Sequence, residues 1–260
     1  MADIVRNTPY CGSNYTTKAT RNREAGDDCL TKFQHWAQTS TAAYRIPKFA
    51  ATTTKIATEV VKYSGGSAFI VQSLGDTGNV LGGIANATSF AACFVAVPAA
   101  VKSVKKLTEG DVTGKKILDV FNKVADAVAF VAYSTLLFIR SEPAKVVGDV
   151  AGVVADGTGV IQKASDLHQA INIAANPNIT NENIRTGLKS HIKLKWIELS
   201  KEVTALATGI LGLLGLMLGG AIVPAVILLT ISLASTILAI TSHFYKANMA
   251  QNITFTPQRA

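Results

Sequence analysis

The chain is poor in charge. Only 16% of its 260 residues are Asp, Glu, Lys or Arg, where an ordinary soluble domain holds about a quarter. The shortfall is concentrated in a few long apolar stretches, which is a membrane pattern rather than the mark of a larger core. Cysteine is also scarce. Cys11, Cys29 and Cys93 are the full set; their odd number and the absence of any C-x-x-C argue against a disulfide framework or a zinc site. The first thirty residues have no apolar h-region and carry Asp3, Glu24, Asp27 and Asp28. That pattern fits neither a Sec signal peptide nor a mitochondrial transit peptide.

Catalytic motifs are missing too. There is no G-x-x-x-x-G-K-[ST], no strand-embedded G-x-G-x-x-G, no H-E-x-x-H and no G-x-S-x-G. His35, His168, His191 and His243 stand far apart, without metal-ligand partners at helical spacing, and read as surface or interface residues. Asp149 and Asp156 are seven apart and share a helix face, but nothing nearby completes an acid–base site; contacts between paired helices are the better reading. The expectation is a protein that is not an enzyme and takes no cofactor and no metal.

The formal net charge is +8. A nucleic-acid binder would cluster its positive charge on a reading helix or among aromatics. Here the basic groups are dispersed: Lys102, Lys105 and Lys106; Lys115 and Lys116; Lys189, Lys193 and Lys195. Each group borders an apolar segment, which suits a membrane surface and not nucleic acid.

No regular strand alternation occurs, so the expected fold class is all-α: a helical domain followed by a C-terminal transmembrane helical hairpin. Residues 1–30 read as a disordered polar N-terminus. Residues 31–201 read as a helical domain. Within it a short amphipathic helix bears Phe33, Trp36 and Tyr44 and is interrupted at Pro47. A second helix from 49 to about 72 is weakened by Gly65 and Gly66. The uncharged run 77–101 is long enough to span a bilayer, but it is rich in Ala, Gly, Asn, Thr and Ser, and reads as a buried or membrane-adjacent helix pair. Further helices are expected over 115–139, closed by Arg140 and Pro143, over 144–175, and over 181–201. The stretch 127–139 reads as a buried helix.

The strongest feature is the bilobed apolar segment 202–243, followed by a short tail, 244–260. No charged residue occurs from 203 to 242, about twice the ~20 residues that one helical span needs. Gly219, Gly220 and Pro224 mark a turn between the lobes. Glycines at 209, 212 and 215 leave room for close helix approach. Lys193, Lys195, Trp196 and Lys201 before the hairpin, and Phe244, Tyr245 and Lys246 after it, are the expected membrane-interface residues. Both flanks are basic, so both are expected on the cytosolic side, whether the lobes span or re-enter.

The hairpin LATGILGLLGLMLGGAIVPAVILLTISLASTILAI, the polar N-terminus and the segment SLGDTGNVLGGIANATSFAACFVAVPAAVKS together resemble the chlamydial inclusion membrane proteins. In this chain the hairpin comes after about 200 residues rather than near the N-terminus. The resemblance implies type III secretion, insertion into the host vacuole (inclusion) membrane, termini in host cytosol, and recruitment of a host protein. It implies a membrane-anchored effector whose partners are membrane lipids, an unknown host protein and further copies of itself. The alternative from the sequence is a membrane-shaping or pore-forming helical protein, in which basic amphipathic helices and 77–101 enter one leaflet.

Overall fold

The structure is a computed structural model that describes residues 2–5, 15–37, 40–109, 112–139, 141–176, 179, 181–218 and 224–257. Seven helices dominate the described residues: α1 Cys29–Ala37, α2 Ser40–Tyr63, α3 Ala68–Thr108, α4 Gly114–Thr135, α5 Glu142–Ala174, α6 Glu182–Met217 and α7 Ala225–Asn248. The all-α class holds. A small antiparallel ribbon accompanies it, in the order β1 (Ala2–Val5), β2 (Tyr15–Arg21), β3 (Gln251–Pro257).

Polar caps start most of the helices by accepting amide protons that have no partner in the first turn. Asp28 Oδ1 accepts from Thr31 N at 2.6 Å. Ser67 Oγ accepts from Ile70 N at 3.4 Å, and Thr113 Oγ1 from Lys116 N at 3.3 Å. Ser141 Oγ accepts from Ala144 N at 3.3 Å, and Asn181 Oδ1 from Asn183 N at 3.0 Å. After α2, Gly65 takes a left-handed φ of 76°, and Gly66 N donates to Val61 O at 2.8 Å. This is a glycine C-terminal stop.

Several boundaries differ from expectation. Pro47 lies inside α2 and does not interrupt it; the missing amide removes one ladder bond, which the 24-residue helix tolerates. The stretch 77–101 belongs to the single 41-residue helix α3, unbroken at Pro98, and is not a helix pair. Pro143 falls in the first turn of α5, where its missing amide costs nothing; Arg140 lies outside the described residues. The basic helix over 181–201 and the first apolar lobe are one continuous helix, α6. Likewise α7 runs past the hairpin into the expected tail. Residues 2–5 and 15–21, expected to be unstructured, are strands. Tyr15 pairs with Pro257 and Arg21 with Gln251, so β2 gains its ladder partners from the far end of the chain.

The chain forms two compact units. Unit 1 holds Met1–His35, Lys163–Ser200 and Leu238–Ala260; unit 2 holds Trp36–Gln162 and Lys201–Ile237. The division cuts across the sequential domains expected, because α5, α6 and α7 each contribute to both units.

Unit 1 is packed like a water-soluble protein. Its core joins Ile173, Ile179, Ile184, Leu188 and Ile253, with Ala19 and Phe255 against it. Gly187 lets β3 approach α6: a Cβ there would meet Ile253 Cδ1 at 2.7 Å. Asn22 closes the end of α7, donating from Nδ2 to the carbonyls of Lys246 at 3.0 Å and Ala247 at 3.2 Å.

Unit 2 is packed the other way. Its described buried apolar residues are all alanines: Ala51, Ala85, Ala92, Ala100, Ala125, Ala127, Ala129, Ala132, Ala151 and Ala155. Beside them Thr52, Ser89, Ser103, Ser134, Ser235 and Thr236 are buried. The large apolar side chains point out: of forty exposed large hydrophobics among the described residues, thirty-six belong to unit 2. The stretch 127–139, expected to be a buried helix, shows the rule within itself. Ala127, Ala129 and Ala132 face in, while Val128, Val131 and Phe138 face out.

Candidate functional site: the apolar hairpin and the polar cavity beside it

Two described helices, α3 and α7, are long and apolar enough to cross a membrane. In α6 the uncharged part ends at Met217 and covers fifteen residues, a rise of about 22 Å. That is short of a ~30 Å hydrocarbon layer. By the same measure the uncharged part of α7, residues 225–242, covers eighteen residues, a rise of about 27 Å, so the second lobe comes close to a full span and the described part of the first does not. Of the turn residues, Gly219 and Gly220 lie outside the described residues. Pro224 stands just before α7 and its carbonyl accepts from Ile227 N at 2.9 Å.

Close contacts between α5 and α6 depend on glycine. A Cβ on Gly209 would meet Val153 Cγ2 at 2.7 Å, whereas a Cβ on Gly212 would meet nothing within 4 Å. Helices α4 and α5 are tied by polar groups. Tyr133 donates to Asp149 Oδ1 at 2.7 Å, and Asn122 Nδ2 donates to Ala155 O at 2.8 Å. Between α3 and α4, Ser103 donates to Asp119 Oδ2 at 2.7 Å. Cys93 Sγ lies 3.1 Å from Ser134 Oγ. Ser235 of α7 donates to the Lys201 carbonyl at 3.3 Å.

The expected interface residues divide by environment. Lys193 and Trp196 are exposed. Lys195 turns inward within unit 1, 3.0 Å from Glu198 and 3.6 Å from Asp166. Lys163 also meets Glu198, at 3.0 Å. Burial pushes the Glu198 carboxyl up, but the two ammonium groups outweigh it and hold it below the usual carboxylate range. Burial, reinforced by the Lys195 charge, pushes His191 below its ordinary value; its ring meets Phe255 edge-on at 5.4 Å. Lys201 pairs with its neighbour Glu202. Phe244 and Tyr245 are half-buried and Lys246 is exposed.

One cavity was not foreseen. It lies wholly in unit 2, has a volume of about 600 Å³, and is lined by charged side chains of α2, α4 and α5 and by uncharged residues of α6 and α7. Asp149 and Asp156 both line it, as their seven-residue spacing allows, with Asp126, Arg45, Lys48 and Lys145. The signal in the sequence was a few isolated charges set in apolar surroundings. What they converge on depends on helix pairing, which no local pattern reports.

No family model matches the chain, and no curated protein and no solved structure matches it.

Proposed function

We propose that the chain is a membrane-anchored interaction protein, with unit 2 embedded in lipid and unit 1 in water. The observation that supports this is the opposite packing of the two units. In lipid the hydrophobic effect gives no reason to bury Leu or Val. Helices associate there through small residues and interhelical hydrogen bonds, with large apolar side chains turned to acyl chains. Unit 2 has that pattern. Unit 1 has the reverse, which is what water selects.

In this reading the hairpin anchors the protein, and the helical and strand elements of unit 1 face the cytosol, where they bind a host protein or a second copy. The membrane is the vacuole membrane around an intracellular pathogen, reached by type III secretion, and both termini lie in host cytosol. The role is recruitment rather than catalysis. Extraction and labelling test it together. The protein should resist carbonate and high salt and yield to detergent. Proximity labelling from its N-terminus should mark host cytosolic proteins. Recovery in the carbonate-soluble fraction would refute anchoring.

The exposed Phe69, Phe90 and Phe94 along α3 favour a second reading, in which this helix wedges into a leaflet and bends it. Liposomes that keep their shape at high protein coverage would count against it.

A further inference from the structure

Anchoring makes no use of the cavity in unit 2. Its volume of about 600 Å³ lies in the range of ligand-binding pockets, roughly 300–1,000 Å³. The walls are of two kinds. Arg45 and Lys48 from α2 and Lys145 from α5 stand with Asp126 from α4 and with Asp149 and Asp156 from α5: three cations and three carboxylates. Leu211 and Leu213 from α6 and Leu228 from α7 are apolar.

A ligand must answer both kinds of wall. A free phosphate or a fatty-acid carboxylate would place its charge beside three carboxylates. A simple cation would meet the three basic groups. Among the described residues no set of His, Cys, Asp or Glu is placed to hold a metal ion. A headgroup that carries both signs and is neutral overall matches the charged side chains of α2, α4 and α5, and a hydrocarbon chain matches the leucines of α6 and α7. Asp149 already accepts the Tyr133 hydroxyl at 2.7 Å, so Asp126 and Asp156 are the carboxylates that remain for a cationic group. Gly212 lines the cavity, yet a Cβ there would touch nothing within 4 Å. Helix packing does not require glycine at that position; the space in front of it belongs to the cavity.

We propose that this cavity binds one zwitterionic phospholipid, its phosphate toward Arg45 and Lys145, its amine toward Asp126 and Asp156, and an acyl chain along Leu211, Leu213 and Leu228 past Gly212. The site rests on the membrane-embedded reading of unit 2, and deepens it by naming a lipid that the anchor selects.

The test uses the full chain in vesicles of phosphatidylcholine, phosphatidylethanolamine and phosphatidylglycerol in equal parts. Flotation is read first. Detergent extraction, washing and native mass spectrometry then count retained lipid. The expected result is flotation and about one retained phosphatidylcholine or phosphatidylethanolamine per chain, with phosphatidylglycerol disfavoured. The double variant Arg45→Ala/Lys145→Ala should lower retention by about tenfold or more, the scale of losing a charge-assisted contact. A Cβ at Gly212 meets nothing within 4 Å, so Gly212→Leu should lower retention as much while leaving thermal unfolding of the lipid-free protein unchanged. Soluble phosphocholine and phosphoethanolamine should not displace the lipid, because they lack the tail. Flotation without retained lipid, equal retention of phosphatidylglycerol, retention unchanged in Gly212→Leu, or displacement by the soluble headgroup each overturns the site and leaves the anchor standing. Failure to float overturns the anchor, and the site with it.

Discussion

The membrane reading is most exposed to test at Ile210 and Ile237. Ile210 is the midpoint of the uncharged part of α6 and is 42% exposed; Ile237 of α7 is 47% exposed. If water surrounds these helices, Asp at either position is a surface change worth about 0.5 kcal/mol. If lipid surrounds them, Asp costs about 2.5–3.5 kcal/mol at Ile210, in mid-lobe, and less at Ile237, the last residue of unit 2; the lost Ile adds about 0.5 kcal/mol. The two lobes can be weighed against that cost. Residues 203–217 hold seven Val, Leu or Ile, which contribute about −2 to −4 kcal/mol to insertion. Residues 225–242 hold nine, about −3 to −5 kcal/mol. One Asp therefore cancels most of the first lobe and much of the second. Ile210→Asp should lower insertion of its lobe by roughly 100- to 700-fold, since 1.4 kcal/mol is a factor of ten, and Ile237→Asp by less. The sites lie on different helices, and the double variant should combine both losses. The assay is synthesis of the full chain with microsomes, followed by carbonate extraction. Wild type should stay in the pellet and Ile210→Asp/Ile237→Asp should move to the supernatant. Phe33→Asp, at an exposed position of unit 1, should change nothing. A double variant that remains as carbonate-resistant as wild type would refute the reasoning.

Other outcomes follow from the contacts. Leu188 is 1% exposed in the unit 1 core. Leu188→Ala should cost about 2–5 kcal/mol, read as an earlier loss of amide-exchange protection in residues 163–200. Gly209→Leu must displace Val153, whose methyl lies 2.7 Å from the added Cβ. It should lower the thermal midpoint in detergent by an amount equivalent to about 1–3 kcal/mol, whereas Gly212→Leu should not. Acid should weaken unit 1 in two steps. The folded pKa of His191 lies below its unfolded value, so the unfolded chain binds the extra proton and stability falls as pH drops below about 6.5. His191→Gln should remove that step from the pH profile of the thermal midpoint. Glu198 is also held below its ordinary range; its contribution is present above the unfolded carboxylate value and is lost at still lower pH, through its folded value. Glu198→Gln should abolish this second step.

Much of the helical plan was legible in the residues. The helices over 115–139, 144–175 and 181–201 were legible because helix formation is local, acting within one or two turns; Gly65 and Gly66, expected only to weaken a helix from 49 to about 72, instead end α2 at Tyr63. Pro47 misled, because a long helix can lose one backbone bond and continue. The strands were not visible in the sequence. Polar segments such as YTTKATR and QNITFTP show little on their own, and each needs a partner more than two hundred residues away. Lys195, placed by composition among the membrane-interface residues, is instead drawn to Glu198 and Asp166, groups whose proximity depends on α5 lying against α6.

What the sequence by itself determined is the list of long apolar segments and the absence of charge between Glu202 and His243, since the hydropathy of a side chain depends on its own chemistry. It did not determine which residues face inward. A helix with alanine on one side and valine on the other can bury either side. Only the tertiary structure decided that unit 2 buries its alanines and turns its valines out, that unit 1 does the opposite, and that six charges distant in sequence line one cavity. Those outcomes depend on which helices meet and how closely their backbones approach, and these are properties of pairs of helices.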